Sequence, residues 1–158
     1  MKNIKLEFKW AFVFSIASLV WMLLEKELGW HDTYITDHYW LTLLFTPLAL
    51  ILYVQALKEK RRRFYGGRMT WLQGFYSGLK LTFFIALFSP AVQYITHNYI
   101  SPEYFPNIIA YSVENNKMTL AETEAYFTLK TYIIQSALGV LIAGTITTAV
   151  VALFLKRK

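Results

Sequence analysis

The chain has 158 residues, a length for one domain, of which 56% are hydrophobic and only 16% charged. A soluble domain carries about 25% charged residues; here the deficit falls in four long apolar stretches, which excludes a water-soluble globule. There is no cysteine, so disulfides and thiolate chemistry are excluded, and the net charge of +6 gathers at the ends of the apolar stretches rather than in a nucleic-acid-binding stripe.

The first stretch, Trp10–Leu24, covers roughly 22 Å, short of the ~30 Å hydrocarbon core. Leu6 and Phe8 therefore extend it, with Glu7 and Lys9 snorkelling to the headgroups. Lys2, Lys5 and Lys9 resemble the basic start of a signal peptide, but Leu23 to Glu27 offers no small-residue cleavage site. The following segment, Glu25 to His38, holds two histidines and four carboxylates. His31, Asp32, Asp37 and His38, with His97 further on, are residue types that suit zinc. None shows the i, i+4 spacing of two-histidine zinc helices, so a solvated loop is expected, with no metal and no cofactor.

The second stretch, Tyr39–Leu57, is long enough to span, with a mild kink at Pro47. A loop from Lys58 to Arg68 follows, turned by Gly66-Gly67 and carrying Arg61, Arg62, Arg63 and Arg68. Two readings apply to this basic patch. It is either a topology determinant alone or a patch for anionic lipid or a partner, each cation contributing about 1 kcal/mol near an anionic surface. The third stretch, Trp71–Asn98, opens on a capping box of Thr70 and Gln73. Lys80 snorkels, and Pro90 bends the far half.

From His97 to Lys130 the chain leaves the membrane. Ser101-Pro102-Glu103 has the pattern of a helix start, although Pro106 moves the start nearer to itself, and Asn115-Asn116 closes that helix. Thr119 and Glu122 form a second capping box, and the helix from Leu120 runs on into the fourth stretch, Thr131–Leu155, which Lys156-Arg157-Lys158 closes. The reading is all-α: an integral membrane four-helix bundle with a short helical extracytoplasmic loop. It forms one transmembrane domain over 1–158, with spans at about 8–25, 39–57, 72–98 and 131–155.

Segments 25–38 and 97–130 hold only Lys26, Lys117 and Lys130 of the 16 Lys and Arg, but every acidic residue except Glu7 and Glu59. Short basic segments stay in the cytoplasm, so both termini are expected there.

Gly74 and Gly78 make a GxxxG pattern, continued by Thr82, Ala86 and Ser89; Gln135, Gly139, Ala143 and Thr147 make a second small stripe. Such stripes let helix backbones approach. They serve packing within the chain or a dimer, and the first is expected. Gln93 and Gln135 lie at similar depth, and His97 and Glu25 end nearby. An amide facing lipid is unfavourable, so these four residues are expected to converge on a polar pocket, either a ligand site or a hydrogen-bonded cluster.

The basic amino-terminal segment, the turn from Tyr65 to Gly78 (Tyr-Gly-Gly-Arg-Met-Thr-Trp-Leu-Gln-Gly-Phe-Tyr-Ser-Gly) and the loop sequence Ser101-Pro102-Glu103-Tyr104-Phe105 resemble the membrane proteins grouped as domain of unknown function 4199. The resemblance covers nearly the whole chain. It implies a bacterial inner-membrane protein of four spans and carries no activity or site residues. By the residues alone, no carboxylate or histidine lies mid-membrane to couple protons or activate a hydroxyl. The expectation is a non-enzymatic accessory or scaffold protein packing with itself or a larger membrane partner. The alternative is a subunit of an oligomeric transporter or channel with a polar pocket in the outer leaflet. The bilayer is the expected partner, with anionic lipid as a second; nucleic acid is not.

Overall fold

The computed structural model describes residues 4–157; Lys2 and Lys158, two of the basic residues at the chain ends, lie outside them. Their regular structure is helical: α1 (Lys5–Glu27), α2 (His38–Leu41), α3 (Phe45–Phe64), α4 (Trp71–Ile95), α5 (Tyr104–Glu114), α6 (Leu120–Tyr126) and α7 (Leu129–Leu155). Four segments are long and apolar enough to cross a membrane: α1, α2 with α3, α4 with the turn after it, and α7. They run alternately up and down. Lys9, Glu59, Met69 and Arg157 meet at the end of the bundle that carries the termini, and the segments 28–37 and 101–128 cover the other, the loop end. Large apolar side chains such as Phe12, Val20, Leu87, Ile146 and Phe154 point outward, as lipid-facing residues do.

Both capping boxes form. The Thr70 hydroxyl accepts from the Gln73 amide while the Gln73 side chain accepts from the Thr70 amide, and Thr119 and Glu122 repeat the arrangement. Other local expectations are corrected. Helix α3 continues through the basic stretch to Phe64 instead of ending at Leu57. Arg61 there donates to the Leu155 carbonyl at the end of α7 (3.0 Å), and Arg63 pairs with Glu59 (3.0 Å), leaving Arg62 and Arg68 as exposed cations. Helix α5 starts at Tyr104, with Pro106 in its first turn, where a missing N–H costs nothing. The helix from Leu120 does not flow into the fourth span: it stops at Tyr126, and Thr128 caps α7 afresh by accepting from the Thr131 amide. Pro47 sits in the first turn of α3, after a 3-10 turn at Thr42–Leu44.

The core lies toward the termini and is built from Ala11, Tyr53, Ala56, Leu57, Leu81, Ile85 and Val151. Glu7 does not snorkel; it is buried, 2.8 Å from the equally buried Lys60 ammonium. Helices α4 and α7 make the closest contact through small residues. A Cβ added at Gly78 would stand 2.9 Å from Thr148 Cβ; one at Gly144 would stand 2.6 Å from Thr82 Cγ2; and one at Gly74 would stand 3.1 Å from Ala152 Cβ. The stripe on α7 is therefore Gly144, Thr148 and Ala152, one residue on from the expected row. Gly139 meets nothing within 4 Å of an added Cβ, and Gly139 and Ala143 line a cavity instead. Backbone bonds between Met69 and Arg157 (2.8 and 3.1 Å) tie the turn before α4 to the end of α7.

Candidate functional site

The site at the loop end is assembled by two turns. Gly29, at φ +74°, reverses the chain directly after α1, a conformation glycine adopts without strain. The Trp30 amide donates to the Glu25 carbonyl and the Tyr34 amide to the Gly29 carbonyl, folding His31 back over the helix end. At the top of α4 the last turn, Thr96–Ile100, widens to a π-helix, and the Ser101 amide donates to the Thr96 carbonyl at 2.7 Å. Such widened turns re-aim the residues that follow. Here Ser101, expected as a helix cap, is buried with its hydroxyl 3.0 Å from His31 Nδ1.

Glu25 is the centre of this arrangement, with no exposed surface. Its Oε2 lies 3.2 Å from His31 Nε2 and 3.2 Å from His38 Nε2, and its Oε1 accepts from Trp21 Nε1 at 2.5 Å. The outer nitrogen of each imidazole is also held. Ser101 Oγ is 3.0 Å from Nδ1 of His31, and the Tyr104 hydroxyl is 3.2 Å from Nδ1 of His38 and 3.2 Å from the Tyr132 hydroxyl. Burial, reinforced by the neighbouring Tyr132 phenol, raises the Tyr104 hydroxyl far above its ordinary range, so it stays a neutral donor and acceptor. Asn107 of α5 donates to the His31 carbonyl at 3.0 Å and fastens the roof. The two imidazole nitrogens and the carboxylate oxygen lie within 4.8 Å of one another, a donor set able to hold a metal ion.

The solvated loop expected for residues 25–38 is thus corrected. Asp32 and Asp37 are exposed, but His31 is buried and the His38 side chain only 18% exposed. The signal was present in the chain as the unusual pairing of both loop histidines with a carboxylate at the end of a span. What hid it was that Ser101, Tyr104 and Asn107 arrive from far along the sequence.

The four residues expected to converge divide three ways. His97 Nε2 is 3.1 Å from Gln93 Oε1, and its ring stacks on Phe105 with centroids 4.3 Å apart. Glu25 belongs to the histidine pair instead, with the ring of Tyr104, 5.2 Å from both His97 and His38, standing between that pair and His97. Gln135 is exposed and donates to the Tyr126 hydroxyl at 3.0 Å on the surface.

Beneath the cluster lies a cavity of about 340 Å³, walled by all four spans: Ser15, Ser18 and Trp21 of α1, Phe45, Ala49 and Tyr53 of α3, Ser89 and Gln93 of α4, and Ser136, Gly139 and Ala143 of α7. Among the described residues, no charged side chain lines it. Trp21 and Gln93 line the cavity while bonded to groups above it, Trp21 to Glu25 and Gln93 to His97. Toward the termini the Tyr53 hydroxyl, 2.8 Å from Thr82 Oγ1, and Gly144 form its floor.

No curated protein and no solved structure matches the chain. One family matches over residues 9–157, and the likeness read from the turn and loop sequences holds across the fold: the chain belongs to the family described as Protein of unknown function (DUF4199).

Proposed function

We propose that the protein is an accessory membrane component, not an enzyme, whose working part is the cavity, and that the cavity takes an uncharged amphiphile from the surrounding bilayer. The observation that carries this reading is the cavity's make-up. Its volume of about 340 Å³ falls among ligand pockets, which run from about 300 to 1,000 Å³. All four spans contribute to its walls, and it is partly open at the side, where the exposed Leu50, Gly139 and Ala143 line it. Its walls are aromatic and aliphatic, dotted with neutral hydroxyls and the Gln93 amide. An ion or a charged substrate would find no counter-charge there, whereas a hydrocarbon chain with a neutral polar end has both kinds of contact.

The floor favours binding over conduction. Below Tyr53 and Thr82 the bundle is filled by Leu57, Leu81 and Val151, so a transporter subunit would need the core itself to part. The end of α3 and the turn that follows it to Arg68 carry the cationic edge, and the exposed Arg62 and Arg68 suit contact with anionic lipid on a cytoplasmic face. On this reading the cavity and its roof lie in the outer leaflet, with a bacterial inner membrane as the fitting setting.

The test is purification in mild detergent, organic extraction and mass spectrometry. Wild-type protein should retain a neutral lipid-derived molecule near one per chain. Ala49→Phe and Ala143→Phe, which fill the cavity from opposite walls, should lose it while keeping or raising the melting temperature. An identical lipid complement in wild type and both folded variants refutes the reading.

A further inference from the structure

We propose that Glu25, His31 and His38 form a site for one divalent transition-metal ion of the zinc class. This goes beyond the cavity reading and does not depend on it.

Zinc bonds of about 2.0–2.1 Å to nitrogen and oxygen give a tetrahedron with edges of about 3.3 Å. Two edges of that figure are already present: Glu25 Oε2 stands 3.2 Å from Nε2 of His31 and 3.2 Å from Nε2 of His38. The third pair of donors lies within 4.8 Å, so a small approach of the two rings closes the face. Two imidazoles and one carboxylate are a common three-ligand zinc set, leaving the fourth position to water.

The surroundings match what a metal needs of them. Each ligand is oriented from behind by a separate group: Trp21 Nε1 donates to the carboxylate oxygen that faces away, Ser101 Oγ holds Nδ1 of His31, and the Tyr104 hydroxyl holds Nδ1 of His38. Ligating histidines characteristically have the second nitrogen engaged in this way, which fixes the ring and the tautomer. Both partners are hydroxyls, which donate or accept. The site can therefore exist in two forms that differ in where the protons sit and in that small approach of the rings. Without metal, the Nε2 protons bind the carboxylate and the hydroxyls donate to Nδ1. With metal, the protons sit on Nδ1 and donate to the hydroxyls, and the Nε2 lone pairs are free to ligate. Access is from the side of His38, the least buried ligand, at 18% side-chain exposure against 0% for Glu25.

The protein stripped with chelator in mild detergent and titrated with Co²⁺ should develop the visible absorption of a four-coordinate site at one equivalent, and Zn²⁺ should bleach it. His38→Gln and Glu25→Gln should weaken binding by roughly a hundredfold or more, and Trp21→Phe, which removes only an orienting donor, by roughly tenfold to a hundredfold. Asp37→Asn, on the exposed part of the same loop, should change nothing. X-ray absorption at the zinc edge of the wild-type protein should count two imidazoles, a reading that needs no variant to fold. Absence of the Co²⁺ absorption in wild type, an edge spectrum without imidazole, or binding that survives His38→Gln would overturn the site. Lipid retention plays no part in these measurements, so the cavity reading stands or falls separately.

Discussion

The Ala86 carbonyl loses its helical donor because the residue four positions on is Pro90, and Ser89 Oγ supplies the bond instead, at 2.9 Å. This makes the serine's contribution conditional on the proline. Ser89→Ala should destabilise the protein by about 1–3 kcal/mol, the cost of orphaning a buried acceptor. In a Pro90→Ala background the backbone amide returns and the same change should be nearly neutral. Thermal melts of the four proteins in one detergent give the cycle, and additive losses would contradict the assignment. Tyr104 permits a pH test. Its phenol is raised above the ordinary value of 10 by burial and by Tyr132, so the folded state holds that proton more tightly than the unfolded one. The stabilisation is complete below pH 10 and is lost as pH rises beyond it. Melting temperature should fall above pH 10, and less steeply in Tyr104→Phe.

Among elements, the decisive contact is α4 against α7. Gly78→Leu and Gly144→Leu each place atoms where Thr148 and Thr82 already stand, and each should lower stability by about 1–3 kcal/mol or more. Gly139→Leu should leave the melting temperature unchanged, since nothing lies within 4 Å of its Cβ position. The GxxxG pattern on α4 announced a packing face, but the facing row on α7 was not legible. Gly139-Ala143-Thr147 and Gly144-Thr148-Ala152 are both small, and only the approach of α3 with Tyr53 decides which turns inward. The spans and both capping boxes were legible because hydropathy and local hydrogen bonding act within a few residues. The roof was not, because its bonds join residues up to 76 apart. The break at Phe127-Thr128 went unseen for a related reason: Thr128 became a cap only where the chain had to turn back into the bundle.

For the whole molecule, the up-and-down run of the four spans puts residues 28–37 and 101–128 at one end and the cationic segments at the other. The chain has no cysteine, so single cysteines report cleanly. Arg62→Cys and Glu124→Cys should react with a membrane-impermeant maleimide from opposite faces, Glu124→Cys alone labelling in intact cells; labelling of both would contradict the proposed orientation.

The glycine–threonine contacts between α4 and α7 all fall between the termini and Thr82–Gly144, which gives that crossing the character of a fulcrum. Above it α7 runs 15 residues to Leu129, a lever of roughly 22 Å at 1.5 Å per residue. A tilt of about 5° there moves the far end by roughly 2 Å, close to the half-width of a hydrocarbon chain. Holding that lever in place is the hydroxyl pair of Tyr104 and Tyr132, 3.2 Å apart, and the same Tyr104 hydroxyl touches His38. The contact that would resist such a tilt is thus built into the roof over Glu25.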